Sequence, residues 1–117
     1  RDLAAQYTSL LGDSVRTSAI RLGAENVFHL YVVRTAHRQA LMAQLKSQEI
    51  HSAIHYPIPV HLQPAYKGRV RTARSMEVTE LLAQEILSLP LYPELGVDSV
   101  SRVAQTIKNF LARDSHD

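Results

Sequence analysis

Apolar residues recur at helical spacing at both ends of this chain. Near the start, Leu3, Ala4, Tyr7, Leu10 and Leu11 fall at i, i+1, i+4, i+7 and i+8, one face of an amphipathic helix that Gly12 can stop. Near the end, Val100, Val103, Ala104, Ile107, Phe110 and Leu111 repeat the pattern more cleanly, and these side chains are predicted core. Residues 13–25 are polar and irregular. Asn26 to Arg34 is rich in β-branched, aromatic and aliphatic residues on both alternating faces, which predicts a central strand covered on each side. His29 falls within it and is expected to be a hydrogen-bonded core or interface histidine.

Thr35 is a plausible N-cap for a helix reaching about Gln48, with Leu41, Met42 and Leu45 inward. A second strand is predicted over Ile50–Tyr56, placing Ile50, Ile54 and Tyr56 on one face and His51, Ala53 and His55 on the other. Ser75 can cap a helix to Glu85 with Val78, Leu81 and Leu82 inward, its early carboxylates favoured by the helix dipole. Ile86–Leu91 reads as a short third strand ended by prolines, and residues 114–117 as a frayed tail. The expectation is an α+β fold, a small sheet of about three strands packed with helices.

Between the second strand and the third helix the periodicity stops. Ile54-His55-Tyr56-Pro57-Ile58-Pro59-Val60-His61-Leu62-Gln63-Pro64-Ala65-Tyr66 holds three of the five prolines, two of the six histidines and two of the five tyrosines. Proline fixes φ and restricts its predecessor, so this stretch predicts a stiff, extended loop carrying polar-aromatic side chains. Such loops are where binding residues tend to sit. The whole connection, 57–74, is long enough to be either functional or disordered.

Composition narrows the chemistry. The chain has 117 residues, 45% hydrophobic and 21% charged, enough for one domain with a modest core. A formal charge of +2 is weak grounds for nucleic-acid binding. Lys67, Arg69, Arg71 and Arg74 form a basic cluster without interleaved aromatics or a glycine cradle, so it reads as solvated surface. No cysteine is present, which excludes disulfides and thiolate ligands and is compatible with a reducing cytoplasm. No run approaches the roughly 18 apolar residues of a membrane span.

No complete active site is legible. In a strand, His51 and His55 would stand about 13 Å apart, too far to share one zinc ion. No Gly-x-Ser-x-Gly elbow or phosphate-binding glycine motif occurs. Glu77, Glu80 and Glu85 read as a solvated helix face, Arg34 as a surface charge, and Lys46, Lys67 and Lys108 as exposed.

The pattern His55-Tyr56-Pro57-x-Pro59-x-His61-x-Gln63-Pro64-x-Tyr66, followed by Leu87-Ser88-Leu89-Pro90-Leu91-Tyr92-Pro93-Glu94-Leu95, resembles the carboxyl-terminal part of the DegT/StrS sugar aminotransferases. Tyr7-x-x-Leu10-Leu11 resembles the last helix of that family's large domain, and His29–Arg34 the first strand of its small domain. Nearly the whole chain takes part, in register. One departure lies at Arg71–Met76, where relatives often carry a proline just before the element that is here Val78-Thr79-Glu80.

The resemblance implies the small carboxyl-terminal domain (13–117) of a fold-type I pyridoxal-phosphate transferase, with residues 1–12 ending a large-domain helix. It implies a cytoplasmic homodimer that aminates a keto-sugar attached to a nucleotide. The Schiff-base lysine and the acidic partner of the cofactor would lie in an amino-terminal large domain, so this chain alone is expected to bind no pyridoxal phosphate. The chain is expected to be a fragment, beginning within a helix. His55 and Tyr56 would line the substrate pocket where the small domain closes; that both merely brace the loop stays open. His61, Gln63 and Tyr66 are expected to make loop-stabilising hydrogen bonds. The face meeting the large domain, helix 1–11 included, is expected to leave apolar surface uncovered and to favour self-association. The alternative is a stand-alone, non-catalytic small-domain homologue acting as a binding or assembly module.

Overall fold

The computed structural model describes residues 1–72 and 74–114. Helix α1 spans Asp2–Leu11, and strands β1 (Arg16–Thr17) and β2 (Tyr31–Arg34) follow. Helix α2 (Arg38–Ser47) precedes the proline loop; helix α3 (Glu77–Glu85) runs directly into strand β3 (Ile86–Leu89), and helix α4 (Val97–Asp114) closes the chain. The sheet is antiparallel in the order β1-β2-β3, with Tyr31 opposite Leu89 and Val33 opposite Leu87. This is the expected α+β architecture.

One sheet face makes the core. Tyr31, Val33, Leu87 and Leu89 point into it, meeting Ala4, Tyr7 and Leu11 of α1, Leu41 and Leu45 of α2, and Val100, Val103, Ala104 and Ile107 of α4. Each large aliphatic side chain buried this way is worth about 1.5–3 kcal/mol in transfer from water. Tyr7 stacks on Tyr31 with ring centroids 4.9 Å apart, and its hydroxyl donates to Pro90 O at 2.9 Å. Helix α1 is therefore sealed under α4, and its apolar face is not the uncovered surface expected of it. The exposed apolar side chains lie elsewhere, among them Leu22, Val27, Tyr56, Val60, Val78 and Leu81.

Several expected elements are shorter or differently placed. The strand predicted from Asn26 begins only at Tyr31, because Asn26 Oδ1 accepts the Phe28 N–H at 2.8 Å and Phe28 takes a positive φ of 53°. An asparagine side chain that captures a nearby backbone donor competes with strand pairing. His29 is left outside the sheet and exposed, not in the core. β2 is central in the sheet but buried on one face only, since Val32 and Arg34 remain half-buried. The polar stretch 13–25 supplies the short edge strand β1, too brief to show periodicity.

Thr35 makes a local turn, Oγ1 accepting the His37 N–H at 3.2 Å, and the N-cap position of α2 falls at His37, two residues later than predicted. Ser75 likewise accepts the Glu77 N–H at 3.3 Å ahead of α3. In α3 the predicted inner face is wrong: Ala83 is buried, Leu82 half-buried, and Val78 and Leu81 are exposed. Helical spacing identifies an apolar stripe but not whether anything in the chain covers it. Arg34 is no free surface charge: it pairs with Glu85, which with Glu80 leaves only Glu77 as predicted. Of residues 114–117, the side chain of Asp114 and residues 115–117 lie outside the described part.

Candidate functional site

The Ile50–Tyr56 segment is not a strand. It touches the sheet at one bridge, where Ala53 N–H donates to Ser88 O at 3.1 Å and Ser88 N–H to Ala53 O at 2.8 Å. In this register His51 faces Pro90, which has no N–H to give, and Tyr56 faces Glu85 at the end of α3, so the ladder extends no further. The bridge nonetheless lays this segment along the outer edge of β3 and delivers His55 to the second sheet face. There His55 Nδ1 sits 2.9 Å from Ser88 Oγ.

His55 is half-buried, whereas Tyr56 is 72% exposed. The two residues are joined by a cis peptide bond, and their rings meet edge to face with centroids 5.5 Å apart. Thus one ring is tied to the sheet and the next projects into solvent. A shallow, mainly apolar concavity of about 460 Å³ opens beside it, lined by Tyr56, Pro57, Ile58, Gln63, Pro64 and Ala65.

Downstream the loop is held again. Pro59 leads into a single 3-10 turn, Val60–Leu62, and His61 Nε2 lies 2.9 Å from Glu80 Oε1 on α3. Gln63 Nε2 reaches Ile58 O at 3.5 Å, a long contact that adds little. The Tyr66 main chain closes a turn on Gln63, while its side chain is exposed. His61 therefore carries the loop-stabilising role expected of it; Gln63 and Tyr66 contribute less. Glu80, read from the sequence as a solvated carboxylate, is the partner that sequence reasoning missed. So is Ser88, which no motif singled out as a partner for His55.

His51 does not join His55. It lines a separate cleft of about 420 Å³ with Ile50, Tyr92, Leu95, Arg102 and Val103. Among the described residues no three His, Asp or Glu side chains converge as a metal site would require. Lys46, Lys67 and Lys108 are all exposed. A cofactor aldehyde needs a lysine held in a desolvated pocket with a phosphate cradle nearby. No such constellation forms among the described residues. Lys67, Arg69, Arg71 and Arg74 are exposed too. Among the described residues, no helix is long and apolar enough to cross a membrane.

Comparison with known proteins follows the same line. The model of the DegT/DnrJ/EryC1/StrS aminotransferase family matches residues 1–108. A pleiotropic regulatory protein of Geobacillus stearothermophilus is 39% identical over 94% of this chain and 31% of its own length. The dTDP-3-amino-3,4,6-trideoxy-alpha-D-glucose transaminase of Streptomyces venezuelae is 34% identical over 95% of this chain and 30% of its own. The crystal structure of S. venezuelae DesV in complex with a ketimine intermediate superposes with a TM-score of 0.88 at 34% identity, covering 94% of this chain and 30% of that one. The chain thus spans about 30% of the length of the relatives it matches.

Proposed function

Since the chain belongs to the DegT/DnrJ/EryC1/StrS aminotransferase family, we propose that it is the small carboxyl-terminal domain of an enzyme that aminates a keto-sugar carried on a nucleotide. In this reading the domain closes the substrate pocket with His55 and Tyr56. It works beside a large domain that supplies the lysine for pyridoxal phosphate, in a cytoplasmic homodimer. The resemblance to the S. venezuelae transaminase supports the substrate class.

The observation that carries the proposal is the contrast at the head of the proline loop. His55 is anchored on Ser88 and Tyr56 stands free in solvent. A side chain that merely braced the loop would be buried against the core, as His61 nearly is at 12% side-chain exposure. An imidazole and a phenol presented together can hydrogen-bond sugar hydroxyls or a diphosphate without titrating.

The test is kinetic. In the enzyme containing this chain, His55→Ala should raise KM for the nucleotide sugar about 10–100-fold, the loss of one hydrogen bond to a charged or polar group. KM for the amino donor should stay within about twofold. An unchanged nucleotide-sugar KM would sink the pocket-lining role. Titrating this chain alone with pyridoxal phosphate and borohydride should give no stoichiometric lysine adduct; one defined adduct would place the cofactor here instead.

The relative named as a pleiotropic regulatory protein favours a second reading, a non-catalytic binding or assembly module. An intact gene product without transamination on any nucleotide-linked keto-sugar would support it.

A further inference from the structure

Ser88 is the one polar residue buried among the described residues, 5% exposed between the core residues Leu87 and Leu89. Burying a hydroxyl without a partner costs about 1–3 kcal/mol, so an aliphatic side chain would serve packing better here. Three of its groups hold the same segment. Its N–H and C=O pair with Ala53, and its Oγ meets His55 Nδ1 at 2.9 Å.

The direction of that last bond follows from what each atom needs. His55 Nδ1 is the side-chain partner described for Ser88 Oγ. A serine hydroxyl carries one proton, and inside a protein that proton must find an acceptor. If Nδ1 carried the proton and donated, the buried hydroxyl proton would have no acceptor described. If Ser88 donates, the Nδ1 lone pair satisfies it, and the imidazole proton must sit on Nε2. Nε2 is not trapped: among the described residues, the sole buried side-chain polar atom without a partner is Arg38 Nε. His55 as a whole is half-buried, so the far edge of the ring is not sealed in the core.

We propose that Ser88 is a positioning residue that locks neutral His55 as its Nε2–H tautomer. The ring then presents a hydrogen-bond donor outward, matched to an acceptor oxygen of the bound molecule. The tautomer lock stands on the geometry alone; its use on a ligand rests on the reading of His55 as a pocket residue. The lock selects ligand chemistry. A phosphate, carbonyl or hydroxyl oxygen can accept from Nε2–H, whereas a group that only donates cannot pair with it.

The test uses this chain labelled with 15N-histidine, read by long-range proton–nitrogen correlation near pH 8, where an ordinary imidazole is neutral. His55→Gln identifies the signals. The wild-type chain should show the Nε2–H pattern for His55, and Ser88→Thr, which keeps the hydroxyl, should preserve it. Ser88→Ala should move the signals toward a mixture of tautomers while the far-ultraviolet circular dichroism stays the same. An Nδ1–H pattern in the wild type overturns the proposal, even if Ser88→Ala does not fold; so does a pattern that Ser88→Ala leaves unchanged.

In the intact enzyme, Ser88→Ala should raise the nucleotide-sugar KM several-fold in the wild-type background. It should add nothing on top of His55→Ala, because it acts through that ring. Equal effects in both backgrounds would mean a purely structural serine and overturn the positioning role. A locked tautomer beside a KM indifferent to His55→Ala would overturn the pocket reading, not the lock.

Discussion

Arg34 fastens the end of β2 to the start of β3 through Glu85: its Nε and Nη2 both lie 2.6 Å from Glu85 Oε2. The side chains are 29% and 21% exposed, so the pair is partly shielded from water. The main chain reinforces it, the Thr35 N–H donating to Glu85 O at 3.0 Å. Arg34 also lies opposite Ile86 in the ladder.

Removing one partner of this pair should therefore cost more than an exposed ion pair would. Arg34→Ala or Glu85→Ala is expected to lose about 1–2 kcal/mol, several degrees in Tm. The double variant should be less destabilised than the sum of the singles. Additive losses in urea unfolding would show that the two residues act separately.

Tyr7 predicts a pH dependence. Burial, with the neighbouring Tyr31 and Tyr92 phenols, raises its phenol above the ordinary value. The folded state thus holds this proton more tightly than the unfolded chain. The stabilisation is fully present below about pH 10, the ordinary phenol value, and is lost progressively as pH rises above it. Tyr7→Phe should cost about 1 kcal/mol at neutral pH by leaving Pro90 O unpaired. Above pH 10 the wild type should lose stability faster than the variant, and parallel Tm–pH curves there would contradict this.

Glu49 sits where a glycine is usual. Helix α2 ends in a Schellman motif: Ile50 N–H donates to Leu45 O at 2.9 Å and Glu49 N–H to Lys46 O at 3.0 Å. This forces Glu49 to a φ of 59° and sets its carboxylate at the negative end of the helix dipole. Glu49→Gly should stabilise the fold by about 0.5–1 kcal/mol, and a lower urea midpoint would refute the strain.

His61→Ala should act locally. Glu80 is 43% exposed, so solvent screens the pair and the global loss should stay below about 1 kcal/mol. The amides of residues 60–70 should nonetheless exchange several-fold faster, measured by hydrogen–deuterium exchange. Unchanged exchange there would mean that the prolines alone hold the loop.

Helices α1 and α4 were legible because each buries a continuous 3.6-residue stripe against the other. Tyr7, Leu11, Val103 and Ile107 announce themselves by spacing alone. Strand limits were less legible, because pairing is non-local. Asn26 diverts the Phe28 amide, and Pro90, opposite His51, stops a ladder that the apolar residues of 50–56 would suit. The residue types at His55 and Tyr56 marked a place worth testing, but their partners could not be read. Ser88 is separated from His55 by 33 positions and Glu80 from His61 by 19. Val78 and Leu81 misled for the opposite reason, their stripe being real but uncovered.

Because α3 passes into β3 without an intervening loop, Glu80 and Ser88 belong to one continuous rod. The proline loop is buckled to that rod at its head and at its middle, through His55 and His61. A push on the bare Val78 and Leu81 side of the rod would shift both buckles together. The aromatic head of the loop would then travel as cargo, keeping its own shape while its position changed.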